Sequence, residues 1–155
     1  MGEGRLRPGF QRYVERQGWQ DVVFTGYVSD EEKPRYFASA HVFCAPAIGG
    51  ESLGIVLLEA MASGVPIVAS DIKGYATVVT QGVDGLLTTP RQPDELAGAI
   101  SYLLTNEAPR QQFIQAGLLK ARDYAWTLVA RRVMDYYCEL LEARATAARS
   151  YPRAL

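Results

Sequence analysis

Residues 49–71, GGESLGIVLLEAMASGVPIVASD, run from a glycine loop through an apolar helix and a helix stop into a strand. From Leu53 to Ala62 the residues are apolar on almost every side, the pattern of a helix buried all round. Gly64 suits the position just past its end, with Pro66 beyond. Ile67 to Ser70 then read as a short buried strand. Such a unit belongs in a layered α/β structure. Glu59 lies inside the apolar run, between Leu58 and Ala60, and Glu51 stands at its entrance. A carboxylate in that setting is costly to desolvate unless a partner or a ligand satisfies it.

The rest of the chain repeats the alternation. Residues 5–17 place Leu6, Phe10, Tyr13 and Val14 at helical spacing, with Pro8 in the first turn and Gly18 as the stop. Residues 22–24 (Val-Val-Phe) read as a strand. Ser29 with Asp30, Glu31 and Glu32 reads as an N-cap and acidic first turn, opening a helix to Ser39. Residues 41–45 form a second strand, ended by Pro46. After residues 67–70, residues 71–74 read as loop. Leu86 and Leu87 make an edge strand, and helices follow from Pro93, after Pro109 and from Thr127. In the last helix Val129, Val133, Tyr136 or Tyr137 and Leu140 recur at helical spacing, and the pattern thins after Glu142, so residues 145–155 are expected to fray. Strands alternating with helices predict a Rossmann-like parallel sheet flanked by helices on both faces. Ligands of such sheets bind at the carboxyl ends of strands, and residues 45–50 form such an end. The expected division is residues 1–126 as the binding domain and 127–155 as a terminal helix and tail.

The chain has 155 residues, enough for one domain, and a formal net charge of -1. That balance offers no field for nucleic acid or an anionic membrane. No apolar run approaches the ~18 residues of a membrane span. No signal-peptide core is present, and Leu6 stands where a myristoylation signal needs Ser or Thr. Cys44 and Cys138 are far apart and His41 is the single histidine, so two reduced thiols in a cytoplasmic protein are expected, with no metal site.

Gly49 and Gly50 let backbone approach a ligand, and the helix they open offers amides at Ser52, Leu53 and Gly54, a natural phosphate site. Glu51 at the lip suits the hydroxyls of a bound molecule. Glu59, eight residues on, is about 12 Å away along a helix rising ~1.5 Å per residue. Two carboxylates that far apart share neither a proton nor a metal, but they suit two polyol units of one elongated ligand with phosphates between. A sugar nucleotide has this layout: hexose, diphosphate, ribose. Spacing alone leaves other readings open. Glu51 could complement the helix dipole, Glu59 could be tied to a buried backbone group or arginine, and the glycines could serve a turn.

The stretch resembles the signature of the retaining glycosyltransferases of family 4, the "group 1" family with the two-domain GT-B fold. Glu51 and Glu59 meet its E-x7-E motif. Gly50-Glu51-Ser52-Leu53-Gly54, Leu58-Glu59-Ala60-Met61-Ala62, Gly64, Pro66 and Ser70-Asp71 follow its pattern, although Leu53 stands where Phe is more usual. Phe24-Thr25-Gly26-Tyr27-Val28, then His41-Val42-Phe43-Cys44-Ala45-Pro46, Gly82-Val83-Asp84-Gly85-Leu86-Leu87 and Tyr124-Ala125-Trp126-Thr127 resemble further family segments in the same order. The resemblance implies the donor-binding domain of a glycosyltransferase, with a nucleotide sugar such as GDP- or UDP-hexose as partner. Glu51 would contact the transferred sugar and Glu59 the ribose diol. Amides of Leu53 and Gly54 would hold the distal phosphate, with Gly50 and Ser52 in the same loop. Ile55 would pack near the nucleoside, and Tyr27 and Val28 would lie beside the base. No cofactor and no obligatory metal are implied.

Met1-Gly2-Glu3-Gly4 matches the G-x-G that follows the second strand of that domain. The resemblance therefore implies a truncated GT-B C-terminal domain, lacking its first strands, the phosphate-clamping Arg and Lys of its first loop, and the N-terminal acceptor domain. Neither Lys73 nor Arg35 replaces that clamp by motif. Peripheral membrane association would come only through the absent domain, and this fragment alone is expected to be inactive. With the central strands missing, a gap would separate the strand at residues 22–24 from that at 41–45, so that either the two pair directly in a shortened sheet or the fragment is poorly stable alone. The apolar stripe of the last helix would be left exposed. A non-catalytic nucleotide-sugar-binding module or partner subunit fits the same residues. A dinucleotide oxidoreductase needs a third glycine that does not follow Gly2 and Gly4, and a P-loop motif is absent.

Overall fold

All of β2, Ile67–Ser70, is buried. In a computed structural model of the chain it is the middle strand of a three-stranded parallel sheet ordered β1-β2-β3. The structure describes residues 3–150, with backbone alone for 147–150. β1 is Phe43–Ala45 and β3 is Leu86–Thr88. Cys44 pairs with Val68, and Ala69 with Leu87. A central parallel strand is covered on both faces, which is why it is written in Ile, Val and Ala rather than in alternation.

The helices are α1 Arg7–Gln17, α2 Lys33–Ala38, α3 Ile55–Ala62, α4 Lys73–Ala76, α5 Pro93–Thr105, α6 Glu107–Asp123 and α7 Trp126–Ser150. One core cluster joins Phe37 of α2, Leu57 and Met61 of α3, Tyr75 of α4 and Ile67 of β2. A second joins Val68 of β2 to Leu103 of α5 and Phe113 of α6. Ile67 and Val68 thus serve opposite faces, as strand alternation requires. α6 reaches both clusters, and at Gly117 it lies so close to α3 that an added Cβ would stand 3.1 Å from Met61 Cγ.

The parallel sheet flanked by helices is as expected, and β3 is an edge strand. Several expectations change. Residues 22–24 join no ladder and belong to no regular element; Val23 is 80% exposed, and the Phe24 carbonyl accepts Arg7 Nη2 at 3.1 Å. An apolar run becomes a strand only when a neighbour pairs its amides and carbonyls, and among the described residues β1 pairs with β2 alone. Lys73 and Gly74, read as the end of a loop, open the single turn of α4, which runs to Ala76. α3 is not buried all round: Ile55, Glu59 and Ala62 share an open face. α6 begins ahead of Pro109, which falls in its first turn where a missing amide costs nothing.

α7 also runs on through residues 145–150, where fraying was expected; residues 151–155 lie outside the described part, as do Met1 and Gly2 of the G-x-G match. Its apolar stripe is exposed as expected, with Met134 and Tyr136 each 59% accessible. Leu6, Phe10 and Trp19 around α1 are exposed as well.

α6 is also fastened to the turn before β3. Asp84 is buried there, accepts the Thr80 amide at 2.8 Å and pairs with Lys120 of α6. Lys120 Nζ also donates to the Val78 carbonyl at 2.7 Å and to Thr80 Oγ1 at 2.8 Å. Lys120→Met leaves Asp84 buried with one donor fewer and should cost about 3 kcal/mol, the lower end for a broken buried pair; urea unfolding will read this, and Asp84→Asn in the same chain should recover part of it. Arg91 has a φ of 65°, the left-handed region, in the turn between β3 and α5. Arg91→Gly should raise stability by about 0.5–1 kcal/mol, since relief of the left-handed penalty exceeds the added chain entropy.

Candidate functional site

The carboxyl end of β1 leads through Pro46 into the glycine loop and then α3. The loop is held by a contact that tolerates no side chain. A Cβ on Gly74 of α4 would run into the Glu51 carbonyl, so backbone rests directly on backbone. The next residue, Tyr75, is 4% exposed, and its ring lies where a Cβ on Gly54 would come within 2.6 Å of Cδ1. Gly54 is the N-cap of α3 with φ 76°, a left-handed conformation. α4 therefore sets both where the loop lies and where α3 starts.

That start shifts the expected amides. α3 begins at Ile55, so the unsatisfied amides of its first turn are those of Ile55 and Val56, next to the N-cap Gly54, while Ser52 and Leu53 lie in the preceding bend. Glu51 also lies outside the helix, and the separation from Glu59 is not a helical rise along α3. Glu51, Ser52 and Gly50 are exposed, Leu53 is half-buried, and Ile55 is 56% exposed.

Beside this loop is a cleft of about 510 Å³ whose lining includes Tyr27, Val28, Lys33, Cys44, Glu59 and Tyr75. The structure thus brings three expected site residues, Tyr27, Val28 and Glu59, to one cavity. Gly50, Glu51, Ser52, Leu53, Gly54 and Ile55 do not line it. They form the adjoining loop and helix start, joined to it through Tyr75. The phenol of Tyr75 is pushed above its ordinary value by burial and, secondarily, by the negative charge of Glu51.

Glu59 has a cationic partner, which is neither the backbone group nor the arginine considered above. Lys33 Nζ donates to Glu59 Oε1 at 2.8 Å and stands 3.7 Å from Asp30 Oδ1. The hydrogen bond to Glu59 holds the ammonium above the usual lysine value, against a smaller opposing effect of burial. Lys33 is the first residue of α2. One turn ahead, Glu32 and Ser29 form a reciprocal box: Glu32 N donates to Ser29 Oγ at 3.2 Å, and Ser29 N to Glu32 Oε2 at 3.1 Å. That box also fixes the end of the segment carrying Tyr27 and Val28. Ser29 caps a turn that precedes α2 rather than α2 itself.

Lys33 and Tyr75 were not legible as site residues. Lys33 sits three residues after Asp30, which suggests only a local ion pair, and Tyr75 falls just past the loop at residues 71–74 with no periodicity around it. Among the described residues no group of three His, Cys, Asp or Glu is arranged to hold a metal, and no helix is long and apolar enough to cross a membrane.

The family model described as "Glycosyl transferases group 1" matches residues 3–120. The chain is similar to phosphatidyl-myo-inositol mannosyltransferase of Mycobacterium leprae, 42% identical over 118 residues that make up 76% of this chain and 32% of that protein. It is similar to D-inositol 3-phosphate glycosyltransferase of Kribbella flavida, 34% identical over 148 residues, 93% of this chain and 34% of the relative. Among solved structures, sucrose-phosphate synthase from Thermosynechococcus elongatus superposes with a TM-score of 0.81 at 29% identity, covering 90% of this chain and 35% of that one. Anabaena HepE in complex with UDP-glucose gives a TM-score of 0.74 at 25% identity, over 88% and 36%. The chain spans about a third of the length of these relatives.

Cys44 provides a reporter for the cleft, because burial pushes its thiol above the ordinary value, whereas Cys138 is exposed. Thiolate is the reactive form, so Cys138 should be alkylated by iodoacetamide well before Cys44 at pH 8. The Cys44 rate should keep climbing as pH passes the ordinary thiol range. Peptide mapping after timed labelling measures both.

Proposed function

Because the chain belongs to the group 1 glycosyl transferases, we propose that the Glu59 cleft and the adjoining glycine loop bind a nucleotide-sugar donor. The observation that carries this reading is the meeting of Glu59 with Tyr27 and Val28 in one cavity at the carboxyl end of β1. Glu59 takes the ribose diol, and Tyr27 and Val28 flank the base. The backbone of Gly50, Ser52, Leu53 and Gly54 faces the diphosphate, with Gly54 at the helix start where anions are favoured. Ile55 covers the nucleoside, and Glu51 receives hydroxyls of the sugar. HepE, a structural neighbour solved with UDP-glucose, supports a nucleotide sugar as ligand.

In the whole protein the bond from the anomeric carbon to the diphosphate breaks, a bond to the acceptor oxygen forms on the same face, and the acceptor's hydroxyl proton leaves with the departing diphosphate. The leaving phosphate is stabilised by amide and cationic donors, with no obligatory metal or cofactor. The names of the two curated relatives support glycosyl transfer to an inositol-bearing acceptor, and the mannosyltransferase name supports a hexosyl group. Residues 1–126 serve as the donor domain, with residues 127–155 as a terminal helix and tail. Residues 1–155 alone bind donor and transfer little.

A thermal-shift panel of GDP- and UDP-hexoses and the free nucleotides tests this. At about 100 times Kd, a ligand specific to the folded chain adds ~2.7 kcal/mol, or roughly 5–10 °C in Tm for a domain of this size. Glu59→Ala should cut the shift from nucleotides and sugar nucleotides alike to about half or less. Glu51→Ala should keep the shift from free nucleotide and lose the increment due to the sugar. A full shift in Glu59→Ala overturns the ribose assignment, and turnover by the isolated chain overturns its inactivity.

A further inference from the structure

We propose that Lys33 is a positioning residue of the donor site, holding the Glu59 carboxylate from the neighbouring helix so that it meets the ribose diol ready-oriented. The proposal rests on the reading of Glu59 as the ribose ligand and adds to it a residue on a different element.

Glu59 is the single charged residue of α3, whose other members are Ile, Val, Leu, Ala and Met. Its side chain is 36% exposed, and Lys33 is its ion-pair partner among the described residues. Left alone, a glutamate on an open helix face samples several rotamers, and fixing one on binding costs affinity. The lysine reduces that loss only if it is itself fixed, and several contacts fix it. Its backbone follows the Ser29–Glu32 box. One turn on, Phe37 is 1% exposed and meets Phe43 of β1 edge-on, with ring centroids 5.2 Å apart. Asp30 offers the ammonium a second carboxylate at 3.7 Å.

The geometry leaves room for a ligand. A carboxylate has about four lone-pair sites, and Lys33 takes one of them on Oε1. Two adjacent hydroxyls can occupy the others without displacing the lysine. The pair also lines a second hollow beyond the cleft, beside Ala62 and Ser63, so it stands as a wall between two cavities. Lys33 thus links the segment after Tyr27 and Val28 to the carboxylate in the middle of α3.

Dissociation constants of GDP and UDP and of their 2′,3′-dideoxy counterparts, measured by calorimetry on the 155-residue chain, separate the possibilities. The wild-type chain should prefer the ribonucleotide by about tenfold or more, the scale of hydrogen bonds to a charged group. Lys33→Met should reduce that preference to about threefold or less, mainly by weakening the ribonucleotide. Lys33→Arg, which keeps a cation there, should hold it within about twofold of wild type. Circular dichroism melts confirm folding of each variant, and Lys33, at 30% side-chain exposure, is peripheral enough to replace. If Lys33→Met keeps the full wild-type preference, the positioning role is overturned while the ribose assignment stands. Equal weakening of both ligand forms overturns it too, by moving the lysine's contact to phosphate or base. Tighter ribonucleotide binding in Lys33→Met shows the lysine competing with the ligand and likewise overturns it. No preference in the wild-type chain, or no binding, overturns the ribose assignment itself.

Discussion

The candidate site depends on one contact between two stretches of main chain. At Gly74 there is no space for a methyl group, because the Glu51 carbonyl occupies it. Everything on that side follows. With the loop resting on α4, Tyr75 is carried under Gly54 and becomes part of the buried core. Gly54 takes the left-handed conformation that begins α3 at Ile55. Starting there, the helix turns Leu57, Ala60 and Met61 into the core and leaves Glu59 on its open face. The carboxylate that looked anomalous inside an apolar run is an ordinary consequence of where the helix starts.

Elements that carry both a period and a stop were readable from composition and spacing. α1 has Pro8 and Gly18, α3 has Gly64 and Pro66, and α5 opens on Pro93; each was located to within a few residues. β2 was readable because a strand covered on both faces has one composition throughout. Residues 22–24 are apolar throughout as well but join no ladder, since pairing belongs to the neighbour and not to the residues themselves. α4 was missed because a single turn has no periodicity to detect. For the site, the order of motifs identified the family and the loop, while the contacts of the carboxylates depend on α2 and α4, whose side chains reach it from elsewhere in the chain. Lys33 and Tyr75 became visible only when the helices were packed.

Two kinds of interaction thus share the work around the cleft. On the α4 side, sterics dominate: two glycines and one buried aromatic ring leave a single arrangement. On the α2 side, charge dominates: Ser29 and Glu32 hold the turn, and Lys33 meets Glu59 across a half-exposed surface. Such a pair in water is worth little to stability, about 0–1 kcal/mol. Its value lies in direction rather than in energy.

The Lys120 clamp has a consequence of another kind. An edge strand of three residues, hydrogen-bonded on one side only, is ordinarily the first part of a sheet to exchange its amides with solvent. Here the turn that delivers β3 is gripped by a lysine of α6, and α6 packs against α3 through Gly117 and Met61. The edge strand and two helices distant from it in sequence are therefore wired into one cooperative opening unit. The exchange-protected block of this chain should follow that wiring rather than the order of the strands, with α1 and α7 opening on their own.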